Sequence, residues 1–203
     1  MVSPHDAAMA GLRRQRLTPG PLARLLVDGD TMMSDGAEEH ATNWEAVHKA
    51  NGDVLVAGLG LGMVLVPMLS KPEVRRVTVL ESNRHVIALV EDAVRAYVGC
   101  LLECKLQVIL ADVFVWKPWP GAKWDTLYFD VWKDICTDNL PEITKLKRRY
   151  AKRLNRDNPN AWMGAWVEER LRSQKRREDR EARAYGGYFQ PDGFKCGGMR
   201  GAL

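Results

Sequence analysis

Asp53-Val-Leu-Val-Ala-Gly-Leu-Gly-Leu-Gly62 decides how this chain folds. Val54 to Ala57 is apolar without alternation, the pattern of a parallel strand buried on both faces. Gly58, Gly60 and Gly62 then form a turn that opens a helix over 63–69. Glycine accepts positive φ and carries no Cβ, so such a turn can bring backbone N–H groups against a ligand at the strand end and helix N-terminus. The same turn also serves as a purely structural connection, and by itself it does not choose.

The residues beyond Gly62 narrow the choice. A second apolar run, Val77 to Leu80, ends in Glu81; a third, Leu106 to Leu110, is followed by Asp112; a fourth, Thr126 to Phe129, ends in Asp130. An acid thus stands after each run, at the edge of an open α/β sheet where ligands bind. Ala161 to Trp166 is read as a short fifth strand.

A chain of 203 residues with 46% hydrophobic content can bury one ordinary core. We expect an N-terminal segment over 1–50, a Rossmann-like unit over 51–166, and a basic helix with a Gly-rich tail over 167–203. In the first segment, Asp28-Gly29 between apolar runs predicts a hairpin. A helix is expected over 38–50, with Trp44, Val47 and His48 toward the core. Asn83 or Ser82 caps a helix whose apolar face is Val86, Ile87, Leu89, Val90, Ala93, Val94 and Tyr97. Trp116, Trp119 and Trp124 flank the loop before the fourth strand, and can either stack on a ring or cover the sheet edge. A basic helix is expected over 142–154 and a charged one over 167–184.

No run approaches transmembrane length and no apolar leader stands at Met1, so a cytoplasmic protein is expected. The four cysteines lack zinc-type spacing, which leaves no metal site and suggests reduced thiols. The net charge is +4, yet Lys145 to Arg183 holds 14 Lys+Arg against 6 Asp+Glu. That stretch, with Trp162 and Trp166 interleaved, reads either as a nucleic-acid surface or as a solvated helix face in which acids and bases pair. Association into a homo-oligomer also stays open.

A dinucleotide site would carry its third glycine at position 63, which is Met63. A ligand made of adenosine and a charged amino-acid tail, with no pyrophosphate to cradle, suits the spacing better. Glu81 can accept both ribose hydroxyls on its two oxygens, while Asp112 and the backbone of Val113 can meet the adenine edge.

Taken in order, Val54 to Gly62, Glu81, Ala111-Asp112 and Tyr128-Phe-Asp130 resemble the class I S-adenosylmethionine-dependent methyltransferases over roughly residues 50–165. Leu26-Val-Asp-Gly29 before the glycine strand is similar to the hairpin of the spermidine-synthase-like group. The resemblance implies a doubly wound, mostly parallel sheet of order 3-2-1-4-5 with S-adenosylmethionine as cofactor. It places Gly58, Gly60 and Gly62 along the methionine and ribose portion, Glu81 at the ribose and Asp112 at the adenine amino group, with Ser82, Val113 and Asp130 as further cofactor-binding candidates. Asp130 faces the reacting centre, and Asp134 is a further candidate acid. Aminopropyltransferases carry Asp-x-x-Asp-Pro here; this chain has Asp130-Val-Trp-Lys-Asp134, with one more residue and no proline. Methyl transfer to an unidentified acceptor is therefore the leading expectation. Aminopropyl transfer and a non-catalytic cofactor- or nucleic-acid-binding module are the alternatives.

Overall fold

The computed structural model describes residues 23–99 and 104–184. Strands β1 (Arg24–Val27) and β2 (Asp30–Ser34) form an antiparallel hairpin. Its turn is Asp28-Gly29, both at positive φ (53° and 87°), which matches the twist of the strands it joins. Helix α1 (Ala37–Lys49) leads into β3 (Gly52–Ala57), followed by α2 (Leu65–Leu69), β4 (Val74–Glu81), α3 (Arg84–Val98) and β5 (Leu106–Leu110). The chain then crosses to β6 (Thr126–Phe129), α4 (Leu140–Tyr150), β7 (Trp162–Ala165) and α5 (Glu168–Ala184).

The five central strands are all parallel, in the order β5-β4-β3-β6-β7. Numbered from the glycine strand this is 3-2-1-4-5, the Rossmann-like order expected. Alternate residues of each strand feed two cores. Val54, Val56, Val77, Val79 and Tyr128 pack under α1, α2 and α3, whereas Leu55, Ala57, Leu80, Leu127 and Phe129 pack under α4 and the segment joining β5 to β6. That segment contains no helix, and Trp124, Ala122 and Val113 cover the sheet where a crossover helix would lie. The three tryptophans pack on one another, with centroids 5.5–6.2 Å apart.

Buried polar groups fix the ends of elements. The Lys71 ammonium is buried and donates to the carbonyls of Val47 (3.0 Å) and His48 (2.8 Å), closing the C-terminus of α1. Burial lowers its pKa, against the pull of Glu73. Below the amino end of β6, the Asp125 carboxylate accepts from Asp53 N, the Arg75 guanidinium, Asn155 Nδ2 and Asn158 Nδ2, each at 2.8 Å. Burial works against this charge, yet the bonds from Asn158, Asp53 N and Asn155 and the Arg75 charge together hold its pKa below the usual range.

Several expectations change. On α3 only Val86, Val90 and Val94 are buried; Leu89 and Tyr97 are 69% and 78% exposed, because a helix lying on a sheet buries one narrow stripe. His48 is exposed and stacks on Trp44 at 5.6 Å instead of entering the core. The helix after the glycines starts at Leu65, not Met63, and the basic helix ends at Tyr150 in a 3-10 turn, Ala151–Arg153. Cys136 takes part in a disulfide, so the expectation of reduced thiols does not hold there; absence of zinc spacing carries no information on pairing. The Gly-rich tail and the first 22 residues lie outside the described residues.

Candidate cofactor and acceptor site

One row of backbone hydrogen bonds defines the carboxyl edge of the sheet. Gly58 N donates to Leu80 O, Asp130 N to Ala57 O, and Ala111 N to Glu81 O, each at 2.8 Å. Gly58, Glu81, Ala111-Asp112 and Asp130 therefore stand side by side at four adjacent strand ends. Between β3 and β6 the order of connection reverses, and at such a point the loops diverge and open a crevice. Gly58 and Asp130 are the residues that flank it.

The glycine turn is shaped by what lies against it. A Cβ on Gly58 would run into the Asp130 carbonyl oxygen, and one on Gly62 into Val94 of α3. At Gly60 (φ 51°) the neighbour is the Met33 sulfur, at the end of the hairpin. The same sulfur accepts from Leu61 N at 3.1 Å. A methionine side chain thus lies along the Gly60–Leu61 backbone, on the surface the resemblance assigns to the methionine portion of the cofactor. This bears on fit: the cradle admits an unbranched methionine-like chain.

Glu81 is buried, and both its oxygens are engaged by backbone. Oε2 accepts from Leu59 N (2.9 Å), inside the glycine turn, and Oε1 from Asn83 N (2.8 Å), at the start of α3. Each carboxylate oxygen has a second acceptor position, so these bonds orient the group without exhausting it. Ser82 is exposed and does not cap α3; the Asn83 side chain does, accepting from His85 N at 2.9 Å. Asp112 is exposed, with Oδ1 accepting from Phe114 N at 2.7 Å in a turn. Val113 is buried, and its carbonyl is taken by the Tyr150 hydroxyl at 3.0 Å, which leaves that carbonyl a structural partner first.

Asp130 has a different environment. Asp130 is half-buried, and partial desolvation, and then the Glu39 carboxylate on α1, push its pKa up to about 7. Glu39 is itself raised, chiefly by burial, despite a hydrogen bond from the Ser34 backbone that works the other way. Two residues before Asp130, and on the same face of β6, the Tyr128 hydroxyl donates to Asn43 Oδ1 at 2.6 Å, and Asn43 Nδ2 donates to Glu39 O at 2.9 Å. Burial, then Asp130, Glu39 and Glu45, keep Tyr128 firmly protonated. An open cavity of about 280 Å³ adjoins this group, lined by Thr42, Glu45, Tyr128 and Trp162 among others. Asp134 sits on the loop beyond, where its carbonyl accepts from Asn139 Nδ2 at 2.9 Å; the charge acting on Asp130 is Glu39, not Asp134.

Sequence reasoning missed Met33 and Glu39. Both reach the carboxyl edge from the N-terminal segment through long-range packing, and only the hairpin signal at Asp28-Gly29 pointed toward that region. An exposed ion pair, Lys133 to Asp30 at 3.5 Å, also joins the hairpin to the loop after Asp130.

The basic stretch from Lys145 to Arg183 divides in two. On α5 three cations pair with acids: Arg172 with Glu168 (2.7 Å), Lys175 with Asp179 (3.1 Å) and Arg170 with Glu38 (3.5 Å). Trp166 is buried and donates to Thr42 Oγ1, and Trp162 stacks on Tyr128, so neither is the surface aromatic the sequence suggested. Arg149 of α4 and Arg153 of the 3-10 turn meet backbone carbonyls instead of acids.

No protein-family model and no curated protein sequence matches the chain. Among solved structures, it is similar to a precorrin-8w decarboxylase of Methanobacterium thermoautotrophicum (17% identity, 73% of this chain and 71% of that one, TM-score 0.45). It is also similar to the N-methyltransferase NodS of Bradyrhizobium japonicum with S-adenosyl-L-homocysteine (11%, 60% and 59%, TM-score 0.45). An rRNA methylase of Streptococcus thermophilus matches at 11% identity over 59% of this chain and 64% of that one, TM-score 0.41. At these TM-scores the likenesses add no weight, and the fold class rests on the chain's own strand order. That order defines a Rossmann-like α/β protein with acids at the carboxyl edge of its sheet.

Proposed function

We propose that the chain is an S-adenosylmethionine-dependent methyltransferase. In this reading the cofactor lies along Gly58, Gly60, Gly62, Glu81, Ser82, Asp112 and Val113, and the acceptor meets Asp130, with Asp134 on the loop beyond. The observation that carries the reading is the meeting of Gly58, Glu81 and a raised Asp130 at the switch point of the 3-2-1-4-5 sheet. When bound, the cofactor supplies a methyl group on a sulfonium that is already a good leaving group.

The chain's own residues would bind, align and manage one proton. Glu81, held by Leu59 N and Asn83 N, presents its remaining acceptor positions to the ribose hydroxyls. Met33 yields its place over Gly60 to the methionine portion of the ligand, so cofactor entry is coupled to a shift of the Met33 side chain. Asp130, half deprotonated near pH 7, takes the proton of an acceptor N–H or O–H, a contribution of roughly 10²–10⁴-fold. Desolvation first, and then Glu39, keep Asp130 basic enough to do so.

Transfer of an aminopropyl group is a second reading. It is favoured by the Glu39 carboxyl facing Asp130, since paired carboxyls suit an amine substrate.

Calorimetric titration with S-adenosylhomocysteine, S-adenosylmethionine and decarboxylated S-adenosylmethionine tests both. The methyltransferase reading expects one site for the first two ligands, weakened about ten-fold or more in Glu81→Gln, which keeps the side chain's size but loses one acceptor oxygen. Preference for the decarboxylated form transfers the chain to the second reading. Binding of none of the three overturns both.

A further inference from the structure

We propose that the cavity between α4 and the tryptophan loop binds the phosphodiester backbone of a single-stranded nucleic acid, with Trp119 as a stacking platform for a base. The cavity, of about 350 Å³, is lined by Lys117, Pro118, Arg149, Tyr150 and Arg153: three cations and no carboxylate. None of the three cations is ion-paired with an acid among the described residues, in contrast to Arg170, Arg172 and Lys175 of α5. Backbone carbonyls hold the guanidinium groups instead. Arg149 donates to Trp116 O at 2.7 Å, and Arg153 lies 3.4 Å from Trp119 O and Ala122 O. Carbonyls orient an arginine without neutralising it, so the site keeps its full positive charge and its bidentate geometry for phosphate oxygens. Asp112 acts on Tyr150 at the cavity's edge.

Two further features select a polymer over a single anion. Lys145, Arg148, Lys152 and Arg156 are exposed on α4 and the turns that follow it, so the positive surface runs well beyond one phosphate. Beside the cavity Trp119 is 48% exposed, yet its ring is braced edge-on by Trp116 and Trp124 at 6.2 and 5.5 Å. A rigid, half-exposed indole next to unpaired cations is the combination that takes a base and its backbone together. The proposal is independent of methyl transfer, since neither the ligand nor its measurement involves the cofactor.

Fluorescence anisotropy with a labelled, mixed-sequence single-stranded RNA of about 20 nucleotides tests it. Lys117→Gln/Arg149→Gln/Arg153→Gln should weaken binding about ten-fold or more, and make the plot of log K against log salt shallower by about 2, as three lost single-strand contacts require. Arg176→Gln/Arg177→Gln/Arg180→Gln, removing the same charge from exposed positions on α5, should cost less than about two-fold. Trp119→Ala should cost about five-fold or more. Lys117→Gln alone alters only an exposed side chain, and should still weaken binding in the same direction if the triple variant is misfolded by circular dichroism. The proposal is overturned by equal losses in the two triple variants, by wild-type affinity in the cavity variant, by no RNA binding at low salt, or by inorganic phosphate displacing the RNA as well as unlabelled RNA does at matched phosphate concentration.

Discussion

Asp125 and Asp130 bracket the same short strand, and their fates are opposite. Asp125, at the amino end of β6, is met by a backbone amide, two asparagines and Arg75, all at 2.8 Å, and its pKa is lowered despite burial. Asp130, at the carboxyl end, is half-buried, and desolvation and then the Glu39 charge raise it to about 7. Identical side chains a strand's length apart thus do different work. One is a satisfied charge that ties three segments under the sheet; the other stores an unfavourable charge where the loops diverge. Stored charge of this kind is what proton transfer needs, and it costs stability in the resting protein.

The comparison is broken most forcefully at Asp125. Asp125→Ala leaves the Asn155, Asn158 and Asp53 N donors without their acceptor, and should destabilise the protein by about 3 kcal/mol or more in urea denaturation. An effect below about 1 kcal/mol would remove Asp125 as the tie. Gly58→Ala comes next at about 2–3 kcal/mol, because its Cβ meets the Asp130 backbone, which cannot give way, at φ 97°. Gly60→Ala should cost less, about 1 kcal/mol, since the neighbour is the flexible end of Met33. If the two glycines prove equal, the Asp130 carbonyl does not crowd the turn.

Asp130→Asn reverses the sign. The folded pKa of Asp130 lies above its unfolded value, so wild-type stability from this group is complete below about pH 4 and is lost as pH rises through about 7. At pH 8 the variant should be the more stable protein, by about 1–3 kcal/mol once partial exposure screens the charge, with no difference at pH 3.5. Asp125 has the opposite dependence: its contribution is present above about pH 4 and disappears as pH falls through its lowered folded pKa. Thermal melts of Asp130→Asn and wild type across that range check the sign. The smallest effect is expected at Glu39→Gln, which should draw the Asp130 titration downward while leaving desolvation, the larger cause, in place.

The sheet was legible because its signals are local. Val54 to Ala57 and Thr126 to Phe129 are apolar on both faces, and a glycine or an acid stops each at the carboxyl edge, so strand ends could be placed without tertiary information. The hairpin was legible for the same reason, since Asp28-Gly29 encodes its own turn. What could not be read is pairing across distance. Nothing local to Met33 says that its sulfur covers Gly60, and nothing local to Glu39 says that it faces Asp130. Helix α3 shows the same limit in another form: Leu89 and Tyr97 satisfy the helical spacing, but the width of the buried stripe is set by the sheet beneath. The tryptophans of the β5–β6 segment were recognised as a group. Their division into a buried Trp124 and a half-exposed Trp119 depends on how α4 packs against them.

The most direct measurement is a carboxyl ¹³C NMR titration of Asp125 and Asp130 in one sample, from about pH 2 to pH 9, with each resonance assigned by its Asn variant. An Asp130 midpoint near 7 and an Asp125 midpoint below the ordinary aspartate value are expected. Two ordinary midpoints near 4 would contradict the opposition between the two acids and leave the carboxyl edge with no stored charge to use.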